Sequence, residues 1–239
     1  MNKILVVGGG AAGMMAAVTA ARNGKKVRLI EKNEKLGKKL FITGKGRCNI
    51  TNAADIEDLF SAVVSNPKFL YSSFYSMTND QVIDFFEELG VKTKVERGGR
   101  VFPESDHSSN VIRALEQEMK RLGVEIRLRA EAEEILAEDG RVTGVRLSSG
   151  KELHADAVII ATGGISYPST GSTGDGYRFA RECGHKVADL SPALVPMEVK
   201  EWYARELMGL SLRNVEIRIT DGKKNCMKSS EKCSLLITE

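Results

Sequence analysis

Proline is scarce, at 5 of 239 residues; tryptophan occurs once, histidine three times, and aromatic residues make up only 6% of the chain. Charge of either sign is also not in excess, with 35 Lys+Arg against 32 Asp+Glu and a formal net charge of +3. Such a chain has neither the stacking platforms nor the basic stripe of a nucleic-acid binder, so nucleic acid is not an expected partner. His107, His154 and His185 are scattered, with no carboxylate or cysteine at ligand spacing, and no metal site is expected. The four cysteines, Cys48, Cys183, Cys226 and Cys233, fit no C-x-x-C spacing. Reduced thiols in a cytoplasmic protein are the expectation. Long hydrophobic runs are missing apart from Ile4 to Ala21, eighteen residues without a charge. Gly8, Gly9, Gly10 and Gly13 fall inside that run, each lowering helix propensity by ~1 kcal/mol relative to alanine. They argue against both a signal peptide and a membrane span.

What is present is the composition of a globular protein, 42% hydrophobic and 28% charged. The length suits one large domain, or one plus part of another. Lys3–Val7 is a short apolar run, Gly8–Gly10 a turn, and Ala11–Asn23 an alanine-rich helix stopped at Gly24. Val27–Ile30 follows as a strand with Glu31 at its carboxyl end, completing a βαβ unit. Helical periodicity then dominates from Asp55 to Leu122, interrupted at Lys92–Phe102 by a hairpin around Arg97-Gly98-Gly99, and this stretch reads as a cap inserted into the sheet domain. Strands follow at Val124–Leu128, Ala132–Leu136, Arg141–Leu147 and Glu152–His154, read together as a β-meander. Ala157–Ala161 reads as a buried parallel strand leading into a Gly/Ser/Thr-rich loop, Gly163–Gly176, and then a helix at Tyr177–Cys183. Beyond Pro192 the pattern is strand-like again, at Val195–Val199, Val215–Thr220 and Ser234–Thr238. The fold class expected is α/β: a Rossmann-like domain with a parallel sheet, a β-meander and a helical insert at about 55–122, occupying residues 1–193. Residues 194–239 are expected to begin a second, β-rich domain that is incomplete in this chain.

Gly8-x-Gly10-x-x-Gly13 sits between a strand and a helix, where such glycines permit a tight turn, backbone approach to a pyrophosphate, and close helix–strand packing. Anionic phosphates there meet the positive end of the helix. Glu31 stands eighteen residues after Gly13, close to the ~20 at which an acid meets a ribose hydroxyl. A carboxylate would repel a 2′-phosphate, so the nucleotide expected at this site is FAD or NAD and not NADP. Lys32, Lys35, Lys38, Lys39, Lys45 and Arg47 form a cationic cluster that either balances a diphosphate or is a solvated face.

A second element, Val158-Ile159-Ile160-Ala161-Thr162-Gly163-Gly164, follows later in the chain. With the glycine fingerprint it resembles the two-dinucleotide-binding flavoproteins, in which an Ala-Thr-Gly turn returns the chain beside FAD. Three further blocks narrow the resemblance: Thr43-Gly44-Lys45-Gly46-Arg47-Cys48-Asn49-Ile50-Thr51-Asn52, Gly99-Arg100-Val101-Phe102-Pro103, and the run from Gly164 through Ser166-Tyr167-Pro168 to Gly176. Together they are similar to the BaiN-like NAD(P)/FAD-dependent oxidoreductases, whose pattern continues past residue 239 into a carboxyl-terminal segment. The resemblance implies FAD as cofactor, NAD(P)H as its usual source of electrons, and a small organic substrate.

The cofactor-binding residues expected on this basis are Gly8, Gly10, Ala11, Ala12 and Gly13 at the pyrophosphate, Glu31 and Lys32 at the adenosine ribose, and Ala132 near the adenine. Lys39, Thr43, Gly44, Gly46, Arg47, Cys48 and Asn49 are expected along the ribityl chain toward the flavin, with Ala161, Thr162, Gly163 and Gly164 forming the return turn. Arg47 is a candidate for holding a phosphate or the reduced flavin. Cys48 reads either as a redox partner activated by Arg47 or as a small buried thiol, and the second is favoured. Asp175 is read as a helix N-cap in preference to a flavin neighbour. Ser166, Tyr167 and Thr170 read equally as substrate contacts or loop braces. The competing functional reading is a non-catalytic FAD- or NAD-binding Rossmann protein, or an inactive fragment.

Overall fold

The computed structural model describes residues 2–191, 200–207, 209–220 and 226–236. Its elements run β1 (Lys3–Val7), α1 (Ala11–Arg22), β2 (Lys26–Ile30), α2 (Lys38–Ile42), β3 (Thr51–Asn52), α3 (Ile56–Ser61), α4 (Tyr71–Ser76), α5 (Asn79–Glu88), β4 (Thr93–Glu96), β5 (Arg100–Pro103) and α6 (Ser108–Arg121). They continue with β6 (Glu125–Arg127), β7 (Ala132–Glu138), β8 (Arg141–Leu147), β9 (Glu152–His154), β10 (Ala157–Ile160), α7 (Asp175–Glu182), β11 (Ser211–Thr220) and β12 (Cys226–Leu236). The chain divides into two compact units, Met1–Val187 and Ala188–Glu239.

A parallel sheet in the order β10-β1-β2-β6 organises the first unit. Its central strand β1 is apolar on both faces, and alternation sends its residues to different layers. Val6 enters a cluster with Met14 and Val18 of α1 and Val111, Leu115 and Met119 of α6. Leu5 and Val7 enter the opposite cluster with Val145 and Leu147 of β8, Leu153 of β9 and Phe179 of α7. Helices therefore cover one face of the sheet, and the meander with α7 covers the other.

Two parts of the expected layout are corrected. Of the four strands read as a meander, only β7, β8 and β9 form one; β6 pairs in parallel with β2, with Leu29 opposite Ile126. The reason is α6, which carries the chain across the sheet before β6 begins. That helix does not belong to a separate cap: its apolar stripe Val111, Ala114, Leu115 and Met119 packs into the main core beside α1. The hairpin at the Arg97-Gly98-Gly99 turn is present as β4 and β5, which join β3 in a small antiparallel sheet. In the second unit, β11 and β12 form an antiparallel hairpin. The strand expected at 195–199 lies outside the described residues, as does Thr238.

In the helical layer, α1 and α6 are joined by a buried carboxylate. Glu118 of α6 is 4% exposed and accepts hydrogen bonds from Arg22 of α1 (2.9 Å) and Arg121 (2.7 and 2.9 Å). The Arg121 guanidinium bonded to it, opposed by burial and reinforced by Arg22, brings its pKa from 4.5 down to about 2. Because the folded value lies below the unfolded one, this stabilisation is complete above about pH 4.5 and is lost as the pH falls toward 2. Glu118→Gln is expected to lower stability at pH 7 by ~2 kcal/mol, since it weakens charge-assisted bonds in a buried position. It should also flatten the acid limb of stability measured by denaturant unfolding between pH 5 and about 2.5. An unaltered acid limb would exclude Glu118 as its source.

Candidate nucleotide-binding site

The carboxyl ends of β1, β2 and β10 open into a cavity of about 620 Å³. Gly8 to Ala12, Glu31 to Asn33, and Ala161 to Gly163 line it from the sheet side. This is where an open parallel sheet carries ligands, at the end of the strands where the connections diverge.

Each fingerprint glycine has its own physical reason. Gly8 has φ +109°, and a Cβ there would run into the backbone carbonyl of Ala161, so the residue lets β1 and β10 end side by side. Gly13 lies against the Gly8 carbonyl, which leaves no room for a side chain between α1 and β1. Gly10 is different. Its backbone is extended, at φ −79° and ψ −172°, and nothing stands within 4 Å of where its Cβ would be. That open space adjoins the first turn of α1, where the N–H groups of Ala11, Ala12 and Gly13 have no intrahelical acceptor and no acidic side chain is present.

Glu31 is 8% exposed and rigidly held. Its Oε2 accepts from the Gly9 N–H (2.6 Å), and its Oε1 accepts from the backbone N–H (2.8 Å) and Nδ2 (2.7 Å) of Asn33. Lys32 also lines the cavity, but its ammonium donates to Thr173 Oγ1 (2.7 Å) and Asp175 Oδ2 (2.8 Å). Asp175 is thereby corrected from N-cap to ion-pair partner: Gly174 occupies the cap position, and no side chain caps α7. Burial works against ionisation of Asp175, yet the Lys32 pair holds its carboxyl below the usual range.

Lys39, Thr43 and Ala132 all line the cavity, and Ala132 is buried at the start of β7. Lys39 Nζ donates to Ser166 Oγ (2.6 Å) and to the Ser166 carbonyl (3.1 Å), and its charge lies 5.8 Å from the Tyr167 ring. Thr170 also lines the cavity, while its hydroxyl donates to the Tyr167 carbonyl (2.7 Å). Ser166 and Thr170 thus brace the loop through these bonds. Thr162 Oγ1 is buried beside the cavity with no hydrogen-bond partner among the described residues. Gly164 stands off the lining, where its carbonyl accepts from the Gly174 N–H (3.2 Å).

The turn from Gly44 to Asn49 lies outside the cavity lining. Arg47 does not stand free to meet a phosphate: its Nη1 pairs with Glu96 (2.8 Å) and Asp106 (3.4 Å), and its guanidinium stacks 4.1 Å from the Phe102 ring. Gly44 and Gly46 take positive φ and fold the turn back on itself, with the Cys48 N–H donating to the Thr43 carbonyl (2.9 Å). In the amide orientation that satisfies both its nitrogen and its oxygen, Asn49 donates to the carbonyls of Thr51 (3.0 Å) and Val101 (3.2 Å).

Cys48 is 1% exposed, and burial pushes its thiol up to about 11. The activating effect imagined for Arg47 is absent because that guanidinium is spent on two carboxylates. Cys48 is therefore the inert buried thiol. Alkylation of the folded protein with iodoacetamide at pH 8 is expected to leave Cys48 unmodified and to label the exposed Cys183, as read by peptide mass mapping. Rapid labelling of Cys48 in the native protein would contradict this assignment.

Three residues important to this geometry were not picked out from the sequence. Asn33 clamps Glu31, Ser172 is buried against Gly163, and Phe179 closes the cavity floor from α7. Asn33 had a local signal, since a short amide two residues after an acid reaches back readily. Ser172 and Phe179 had none.

Residues 2–229 match the HI0933-like protein Rossmann domain. The chain belongs to that family. It is 38% identical over 205 residues to the 3-dehydro-bile acid delta(4,6)-reductase of Clostridium scindens, covering 84% of this chain and 48% of the relative. It is 30% identical over 208 residues to the ribosomal RNA dihydrouridine synthase of Escherichia coli, covering 87% of this chain and 50% of the relative. The chain thus spans about half the length of these curated relatives. Among solved structures it is similar in fold to a flavocytochrome c3 fumarate reductase, with a TM-score of 0.57 and 23% identity over 76% of this chain and 40% of that one. The BaiN-like resemblance and the α/β Rossmann class read from the sequence are both borne out. No helix among the described residues is long and apolar enough to cross a membrane.

Proposed function

We propose that this chain is the nucleotide-binding part of a cytoplasmic FAD-dependent oxidoreductase. The observation that carries the reading is the open space at Gly10, set between unpaired N–H groups of the α1 first turn and a fixed carboxylate at Glu31. A pyrophosphate fits the first and a ribose hydroxyl the second.

Gly8, Gly10, Ala11, Ala12 and Gly13 would hold the pyrophosphate, Glu31 the ribose, and Ala132 the adenine. Lys32 supports the site indirectly, by fixing Asp175 and the loop before α7. Ala161, Thr162 and Gly163 would pass beside the cofactor, with Lys39 and Thr43 farther along it. The turn from Gly44 to Asn49, with Gly164, would shape the approach to the flavin through its backbone. When bound, FAD supplies the two-electron chemistry; the protein positions it and excludes water. NAD(P)H is the electron donor in this reading, and the substrate is a small organic molecule, a class supported by the C. scindens relative, whose name denotes a reductase of a bile acid.

The first test is the visible absorbance of the purified chain after incubation with FAD and passage over a sizing column. Retained flavin bands at near one equivalent are expected. A folded protein that stays colourless would overturn FAD as the ligand. Anaerobic bleaching of the bound flavin by NADH or NADPH then tests the donor, and failure with both would remove it. The E. coli relative favours a second reading, in which the substrate is RNA. Reoxidation of the reduced flavin by RNA, and not by small organic acceptors, would select that reading.

A further inference from the structure

The Asn33 side chain bonds to three segments around the acid end of the cavity. Its Nδ2 donates to Glu31 Oε1 (2.7 Å) at the end of β2 and to the Thr170 carbonyl (3.1 Å) in the loop before α7. Its Oδ1 accepts from Lys38 Nζ (3.2 Å) on α2, and its own backbone N–H also donates to Glu31 Oε1 (2.8 Å). The loop accommodates this amide because residue 171 is glycine: a Cβ there would stand 2.6 Å from Asn33 Nδ2. Two donors from one residue on one carboxylate oxygen is a strong local constraint.

Its consequence follows from counting acceptor positions. An ionised carboxylate offers about four. Asn33 takes both on Oε1, and the Gly9 N–H takes one on Oε2. Among the described residues one acceptor position remains, on Oε2, the oxygen already anchored to the fingerprint turn. A carboxylate held this way presents a single acceptor in a fixed direction. Without the Asn33 amide the two backbone N–H groups still hold the carboxylate, but a second acceptor position opens, on Oε1, and the restriction to one hydroxyl is lost.

We propose that Asn33 is a positioning residue that sets the nucleotide selectivity of the site, locking Glu31 so that its one open acceptor meets a single ribose hydroxyl. This rests on the reading of Glu31 as the ribose acid. Asn33 touches no ligand itself and acts through Glu31, so the measurement must separate selection of a hydroxyl from general loss of the site.

The experiment compares binding of ADP, 2′-deoxy-ADP and 3′-deoxy-ADP to the flavin-free chain by titration calorimetry. In the wild-type protein one deoxynucleotide is expected to bind about tenfold or more weakly than ADP, the effect of removing a hydrogen bond to a charged acceptor. In Asn33→Leu that ratio should fall to about twofold or less, while the affinity for the discriminated deoxynucleotide stays within about twofold of wild type. Asn33→Ala, which removes the amide without adding charge, should show the same collapse and serves if the leucine variant does not fold. Parallel weakening of ADP and both analogues would mark Asn33 as merely structural and overturn the proposal, as would an unchanged ratio. Glu31→Gln separates the two levels. If the wild-type protein shows no discrimination, or Glu31→Gln leaves it intact, the ribose reading itself falls; if Glu31→Gln abolishes it and Asn33→Leu does not, only the role of Asn33 falls.

Discussion

Gly10→Val is expected to weaken FAD binding at least ~100-fold while leaving the fold in place. The backbone at Gly10 already has φ −79° and ψ −172°, a conformation open to any residue, so valine meets no strain there. No protein atom stands within 4 Å of the new Cβ, so nothing in the domain has to move. Valine is a poorer N-cap than glycine, which costs about 1 kcal/mol and lowers Tm by roughly 2–4 °C. What the side chain does fill is the space in front of the Ala11 and Ala12 N–H groups. Charge-assisted hydrogen bonds to a pyrophosphate contribute ~1.5–3 kcal/mol each, and loss of two of them accounts for a factor of 100 or more. Fluorescence titration with FAD alongside thermal unfolding measures both quantities. Retained affinity in a folded variant would mean that no phosphate approaches this turn.

Gly13→Val, three residues away, is expected to fail for the opposite reason. Its Cβ would be driven into the Gly8 carbonyl, with the Ala161 side chain 3.3 Å away. Backbone cannot yield as a flexible side chain does, so α1 has to lift from β1 and open the core around Val6, Met14 and Val18. The better helix propensity of valine returns only ~0.4 kcal/mol. Overpacking of this kind costs roughly 3 kcal/mol or more, which lowers Tm by about 6–12 °C at this size. Flavin binding falls with it, because the first turn of α1 moves. A Gly13→Val protein with wild-type Tm would show that α1 and β1 are not packed as described. The pair of variants assigns two glycines of one motif to two separate tasks, ligand approach and helix packing.

The Rossmann core was legible because its signals are local. The apolar run Lys3–Val7, the glycine turn, the alanine-rich α1 and the strand ending at Glu31 each follow from composition and period over a few residues. β10 was legible as a parallel strand beside β1 but not in its burial: it is an edge strand whose ends are exposed and whose Val158 and Ile159 are half-buried, where the apolar run had read as buried. The position of β6 was not legible. Glu125–Arg127 is short and polar at both ends, and only the crossing of α6 over the sheet assigns it to β2 and not to the meander.

Site residues divide along the same line. Gly8, Gly10 and Glu31, read from spacing, and Ala132 and the Ala161-Thr162-Gly163 turn, read from the family resemblance, line one cavity, while Gly13 stands behind it against the Gly8 carbonyl. Sequence by itself determined the α/β class and the kind of ligand such a turn accepts, since both depend on backbone groups whose geometry neighbouring residues set. The tertiary structure alone decided which charges are free. Lys32 is matched with Asp175, 143 residues later, and Arg47 with Glu96, 49 residues later, so neither cation is left for a phosphate. It likewise buried Cys48 and brought the Thr170 carbonyl, 137 residues later, onto the Asn33 amide. Hydrophobic periodicity records which face of an element is buried, but the partner of a polar side chain depends on which distant segment packing brings within 3 Å of it.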